Sequence, residues 1–141
     1  MEKINWGRVA LGGALAGVVI NVTESILHGV VLGEEWKALV ASWGRTLDTG
    51  VAAWALILVL NALDGFVAVW LYAAIRPRYG PGPKTALLAG LTVWLVGWLV
   101  PTLSAIPLDL FPPWIVLVVP GAGLVEFVVG TLLGARLYKE A

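Results

Sequence analysis

Residues 51–75 read VAAWALILVLNALDGFVAVWLYAAI, and the only charged residue in this stretch is Asp64. An α-helix needs about 20 predominantly apolar residues to cross the hydrocarbon core of a bilayer, and this stretch exceeds that length. The apolar residues form a continuous block rather than the stripe that a half-buried helix carries. We therefore predict a membrane-spanning helix over these residues.

Three further blocks of this kind complete the chain, at residues 6–32, 85–103 and 114–138. The composition agrees, because 60% of the residues are hydrophobic and only 13% are charged, whereas a soluble domain has about a quarter charged. The 141 residues leave room for one domain and no soluble appendage. We predict an all-α integral membrane protein folded as a four-helix bundle.

Composition also limits the chemistry. The chain has no cysteine, which excludes disulfides and thiolate metal sites, and a net charge of zero, which argues against a nucleic-acid partner. Its only histidine, His28, cannot form a bis-histidine haem site within one chain. We expect no cofactor, and the partners we expect are the lipid bilayer and another membrane protein or further copies of the chain.

Basic residues predict the orientation, since loops rich in Lys and Arg stay on the cytoplasmic side. Seven of the nine fall on one side of the predicted bundle: Lys3, Arg8, Arg76, Arg78, Lys84, Arg136 and Lys139. Both termini are therefore predicted to be cytoplasmic. The loop RPRYGPGPK (76–84) is predicted to be a stiff turn that cannot continue the helix. Its Arg76, Arg78 and Lys84 suit anionic lipid headgroups, although topology alone explains them equally well.

The first loop on the opposite side contains a short helical pattern. Trp36, Leu39, Val40 and Trp43 recur at the spacing of one helix face. A short helix lying on the outer membrane surface and a helix packed over the mouth of the bundle both fit this stripe.

A resemblance to a known family rests on two stretches of the chain, INWGRVALGGALAGVVIN (4–21) and VWLYAAIRPRYGPGPKTALLAG (69–90). They resemble an uncharacterised family of small four-helix bacterial membrane proteins, and the resemblance covers nearly the whole chain. It implies a four-span architecture and a multi-pass location in the bacterial inner membrane, and it implies no activity.

Polar residues interrupt three of the predicted spans: Asn21, Glu24, His28, Asn61, Asp64 and Glu126. Steps of three and four place the first three on one side of their helix. At 1.5 Å per residue, four of the six lie about 15–20 Å below the outer boundary, near the middle of a core about 30 Å thick. These four are Asn21, Asn61, Asp64 and Glu126. A carboxylate facing lipid there costs about 2.5–3.5 kcal/mol. We therefore predict that the acids face one another, water or a partner, and that at least one is protonated at neutral pH.

Small residues line the same helices. Gly13 with Gly17, and Gly130 with Gly134, form GxxxG pairs, the spacing that lets two helix backbones approach closely. These four glycines are predicted to pack helices against each other or against a partner.

Three functional interpretations follow. The first is a non-enzymatic interaction or accessory subunit, in which the glycine faces dock helices and the polar layer sets their register. The second is a small proton-coupled transporter or channel that uses Glu24, Asp64 and Glu126. The third is a metal site at Glu24 and His28. Because the chain has only one histidine to serve as a ligand, we expect no bound metal. We also expect no enzyme, because Ser25 points away from Glu24 and forms no nucleophilic triad.

Overall fold

The computed structural model describes residues 3–139 and is helical, with no strand among them. Four helices are long and apolar enough to cross a bilayer, at Trp6–Val31, Val51–Tyr79, Pro83–Leu108 and Pro113–Arg136. This confirms the all-α class and the four predicted spans, and it indicates a membrane protein.

Two of the spans change helix type along their length. The first consists of α1 (Trp6–Glu24) and a π-helical segment (Ser25–Val31), and the third of α4 (Pro83–Trp94), a second π-helical segment (Leu95–Leu99), α5 (Val100–Ser104) and a 3₁₀ turn (Ile106–Leu108). The other helices are α2 (Gly33–Ser42), α3 (Val51–Tyr79) and α6 (Pro113–Arg136). Because π-helical hydrogen bonds enclose an extra residue, these segments rotate the side chains that follow them.

Glycines set the distances between α1 and its neighbours. A Cβ atom added at Gly13 would lie 2.7 Å from Phe66 Cα, and one added at Gly17 would lie 2.9 Å from Ala62 Cα. On another face of α1, the backbones of Gly12 and Gly134 meet. Gly130 lies against Ala16, so all four glycines singled out in the sequence pack helices inside the bundle.

Both described ends of the chain lie at one end of the bundle, which we call the terminal end. The backbone N–H of Asn5 donates to the Tyr138 hydroxyl at 3.3 Å. A hydrophobic cluster closes this end of the bundle, formed by Val9, Tyr72, Ala73, Ala86, Ala89, Ala135 and Tyr138. Above it, Val69 and Phe127 have no exposed surface. The terminal half of the bundle is therefore tightly packed.

The opposite end, which we call the α2 end, is packed differently. Trp36 and Leu39 of α2 lie on a small buried cluster that contains Ile115 and Val119 of α6. The Trp36 ring also meets Phe111 edge to face, with ring centroids 6.2 Å apart. Through these contacts α2 packs against α6 and against Phe111, which precedes α6.

Several predicted helix ends are wrong by a few residues. The turn predicted over 76–84 is wrong for its first part, because α3 continues through Pro77 to Tyr79 and ends only at Gly80, whose φ is +84°. A proline in the last turn of a helix removes a single hydrogen bond, and a glycine with positive φ terminates the helix more effectively.

The remaining differences also involve prolines. The third span begins at Pro83 rather than residue 85, and α6 begins at Pro113 rather than residue 114. Proline fits the first turn of a helix, where its missing N–H has no partner to lose. The third span runs to Leu108 instead of 103, while the first and fourth end at Val31 and Arg136 instead of 32 and 138.

Candidate functional site

The three acids of the spans converge at the centre of the bundle. Glu24 comes from α1, Asp64 from α3 and Glu126 from α6, and the three carboxyl groups lie close enough to interact electrostatically with one another. Glu24 is 8% exposed and Glu126 is 3% exposed, while Asp64 is half-buried. The close approach of α1 and α3 at Gly17 brings Asp64 next to α1, since Gly65 is the residue that touches Gly17.

A threonine hydroxyl completes the contacts of Glu126. Thr23 Oγ1 lies 2.7 Å from Glu126 Oε2 and 3.0 Å from the carbonyl oxygens of both Val19 and Ile20. A hydroxyl carries one proton and two lone pairs. It can donate to an ionised Glu126, or it can accept from a protonated Glu126 and donate to the helix carbonyls. The site therefore accommodates Glu126 with or without its proton by rotation of one O–H bond.

Two asparagines connect α1 to α3 close to the level of the acids. Asn61 Nδ2 donates to Asn21 Oδ1 at 3.2 Å, and Asn21 Nδ2 donates to the backbone carbonyl of Leu58, also at 3.2 Å. Asn61 is only 8% exposed. The amide nitrogen of Asn61 donates to Asn21, and no donor in the described part of the chain bonds to its carbonyl oxygen.

His28 belongs to the bundle and not to its rim. The Trp36 indole N–H donates to His28 Nδ1 at 2.8 Å, and His28 Nε2 lies 3.2 Å from Glu24 Oε2 without hydrogen-bond alignment. A ring nitrogen that accepts a hydrogen bond carries no proton, so this contact selects the neutral imidazole with its proton on Nε2. The Trp98 ring stacks on the imidazole with centroids 6.2 Å apart.

Local helix geometry produces this arrangement. His28 lies in the first π-helical segment and Trp98 in the second, so both rings that meet here come from segments that are wound less tightly than an α-helix. Single π-helical turns within α-helices occur frequently at functional sites.

A cavity of about 420 Å³ occupies the α2 end of the bundle. Its polar wall carries Glu24, Ser25, His28 and Asn61, and its mouth carries Asp48 and Thr49. Aromatic rings make up much of the remaining wall: Trp36, Trp54, Trp98 and Phe111. The volume falls within the range of small-molecule sites, about 300–1,000 Å³. Of the three central acids, Glu24 lines the cavity, whereas Asp64 and Glu126 do not.

The other predicted site residues are placed as follows. Arg76 lies against the ring of Tyr138, with its guanidinium carbon 5.5 Å from the ring centroid, while Arg78 and Lys84 are exposed at the terminal end. Within residues 3–139, no group of three or more His, Cys, Asp or Glu side chains is arranged to hold a metal ion.

Sequence reasoning missed Thr23 as a partner of Glu126 and Trp36 as a partner of His28. Threonine within a helix usually bonds to its own backbone, so Thr23 gave no signal of a tertiary role. Trp36 belongs to the predicted apolar stripe of α2, but its indole N–H donates to His28, a contact that the stripe does not predict.

Comparisons of the chain with protein-family models, curated proteins and solved structures found no match. The resemblance to small bacterial four-helix membrane proteins therefore stays a prediction.

Proposed function

We propose that this protein is a small membrane carrier that binds a solute in the cavity at the α2 end and exchanges it for protons held by the buried acids. The observation that carries the proposal is the position of Glu24, which lines the cavity and also lies within electrostatic range of Glu126 and Asp64. A solute that pairs with Glu24 would thereby change the electrostatic environment of the other two acids.

The residues around Glu24 suit a proton exchange. The titratable groups that face it are His28 on its own span, Asp64 on α3 and Glu126 on α6, with Asp48 at the cavity mouth. Ionisable side chains within membrane spans commonly mark proton or substrate pathways. Thr23 provides a hydrogen-bond partner for Glu126 Oε2 whether or not the carboxyl group carries a proton.

The packing suits a carrier that is open on one side. The cavity reaches Glu24 from the α2 end, whereas the glycine contacts and the apolar cluster close the terminal half. With the terminal end cytoplasmic, as the basic residues predict, the cavity faces outward from a bacterial inner membrane. In that orientation, exposed Arg78 and Lys84 lie at the level of anionic lipid headgroups.

The accessory-subunit interpretation has less support. Its glycine pairs, Gly13 with Gly17 and Gly130 with Gly134, are occupied by contacts within the chain and offer no close-approach surface to another protein. A stoichiometric partner protein in particles extracted with a mild detergent would restore this interpretation.

Reconstituted vesicles containing a pH-sensitive dye test the carrier. Solutes from four classes (cationic, anionic, zwitterionic and neutral) are added outside, with a potassium ionophore to clamp the membrane potential, and protein-free vesicles correct for passive permeation.

We expect at least one class to evoke proton movement with the natural protein and with Glu34→Gln, but not with Glu24→Gln. Glu34 is an appropriate control because its side chain is 87% exposed and pairs with Lys37. Proton movement that is absent for every class, or unchanged in Glu24→Gln, would overturn the proposal.

A further inference from the structure

The ionisable side chains that line the cavity favour a cation over an anion. Among the described residues that line it there is no Lys or Arg, while Glu24 and Asp48 are both acids. His28 is held as the neutral tautomer by the Trp36 N–H and so supplies no positive charge. An anionic ligand would find no positively charged partner on this wall, and a cation would find two acids.

Two hydrogen-bond acceptors on this wall favour a ligand that carries hydrogen-bond donors, although the unpaired Nε2–H of His28 is a donor on the same wall. Glu24 offers carboxyl oxygens to the cavity, and the carbonyl oxygen of Asn61 is left over after its amide group donates to Asn21. These two groups both accept hydrogen bonds and lie on the same cavity wall. A ligand that satisfies them must carry N–H or O–H donors, and an N–H donor with a positive charge makes the stronger bond to a carboxylate.

The aromatic side chains of the remaining walls favour a ligand that carries apolar groups beside its charge. Trp36, Trp54, Trp98 and Phe111 surround the polar wall with aromatic surface. Aromatic faces attract cations that lie close to them and also bury apolar groups. A small hydrated metal ion would leave this surface unused.

We propose that the ligand of the cavity is a hydrophobic ammonium ion, with an apolar or aromatic body and N–H groups that donate to Glu24 and Asn61. This inference names the solute class and rests on the proposed carrier function. Asp48 at the mouth adds a second negative charge on the path by which such a cation would enter.

Equilibrium binding to the protein in lipid nanodiscs tests the ligand class without requiring transport. Four compounds with a common phenylbutyl body are compared: the primary ammonium, the trimethylammonium, the alcohol and the carboxylate. Quenching of tryptophan fluorescence reports binding, since three tryptophans line the cavity, and empty nanodiscs correct for partition into lipid. We expect the primary ammonium to bind at least about tenfold more tightly than the alcohol, a difference of about 1.4 kcal/mol. The carboxylate should bind no better than the alcohol.

Variants locate the bound charge. Glu24→Gln should reduce the affinity for the ammonium to that for the alcohol, whereas Glu34→Gln should leave it unchanged; circular dichroism verifies that both variants are folded. Equal binding of the alcohol or carboxylate and the ammonium by the natural protein would overturn the proposal, and this comparison needs no variant. Equal binding of the trimethylammonium compound would overturn the assigned N–H donation. If another solute class evokes proton movement in vesicles, the ligand class fails while the carrier function stands.

Discussion

At the residue scale, the contacts of Thr23 decide how Glu126 is held. Its single hydroxyl lies within hydrogen-bond distance of a carboxyl oxygen and of two helix carbonyls, and Glu126 is almost fully buried. Removing a partner from a buried polar group costs the free energy of leaving it unsatisfied, about 1–3 kcal/mol. The other carboxyl oxygen of Glu126 is buried without a hydrogen bond from the described residues, and Glu24 and Asp64 are the further groups that interact electrostatically with this carboxyl.

Thr23→Val keeps the branched shape of the side chain and removes the hydroxyl. We expect a loss of about 1–3 kcal/mol in the free energy of unfolding, measured by denaturant titration in detergent micelles. Thr23→Ser should recover most of the loss. Thr92→Val is the matched control, because the Thr92 hydroxyl donates only to the Leu88 carbonyl of its own helix, at 2.8 Å. Equal stability of Thr23→Val and Thr92→Val would mean that the contact with Glu126 contributes nothing.

At the element scale, the crossing of α1 and α3 places the polar groups at the same level. Gly65 follows Asp64 directly, and a Cβ atom added there would meet the backbone of Gly17 and the Gly13 carbonyl oxygen. Helix backbones cannot move apart at this point without separating the asparagines and acids just above it. The glycines therefore position the site as well as stabilise the bundle.

Gly65→Ala tests this crossing. Overpacking against backbone atoms typically costs about 1–3 kcal/mol, and we expect a loss of that size in the same unfolding measurement. Gly121→Ala in α6 is the control, since nothing lies within 4 Å of the added Cβ. Alanine favours a helix by about 0.5–1 kcal/mol over glycine, so the control should be as stable as the natural protein or more stable. If both variants unfold alike, the two helices do not touch at Gly65.

At the scale of the whole molecule, an even number of spans brings the two described ends of the chain to the same end of the bundle. The hydrogen bond between Asn5 and Tyr138 joins these ends directly. The side of the membrane on which they lie follows from the distribution of basic residues and not from packing. Orientation and fold are thus separate physical questions, and they need separate measurements.

Single cysteines measure the orientation without background, because the natural chain contains none. Lys3→Cys, Lys139→Cys and Asp48→Cys are labelled in intact and in lysed cells with a maleimide that cannot cross membranes. We expect Asp48→Cys to react in intact cells and the other two to react only after lysis. Labelling of Lys3→Cys and Lys139→Cys from opposite sides would contradict four spans. Labelling of both in intact cells would reverse the predicted orientation.

The four spans could be predicted from the sequence because a bilayer imposes a length and an apolar composition on each helix independently of its neighbours. The same local rule indicated that Asn21, Asn61, Asp64 and Glu126 share a layer, since depth depends only on position along a helix. Helix ends near Pro77, Pro83 and Pro113 were less predictable, because a proline can sit in the first or the last turn of a helix as well as outside it.

Only the tertiary structure decided which of these groups touch. The pairing of Thr23 with Glu126, and of Trp36 with His28, depends on how far helices rotate and how closely they cross, and π-helical segments change that rotation locally. The cavity is formed between separate spans, the helix α2 and the loop that follows it, so no single stretch of sequence encodes it. Composition determines that a segment lies in the membrane, whereas the packing of neighbouring segments determines what it faces there.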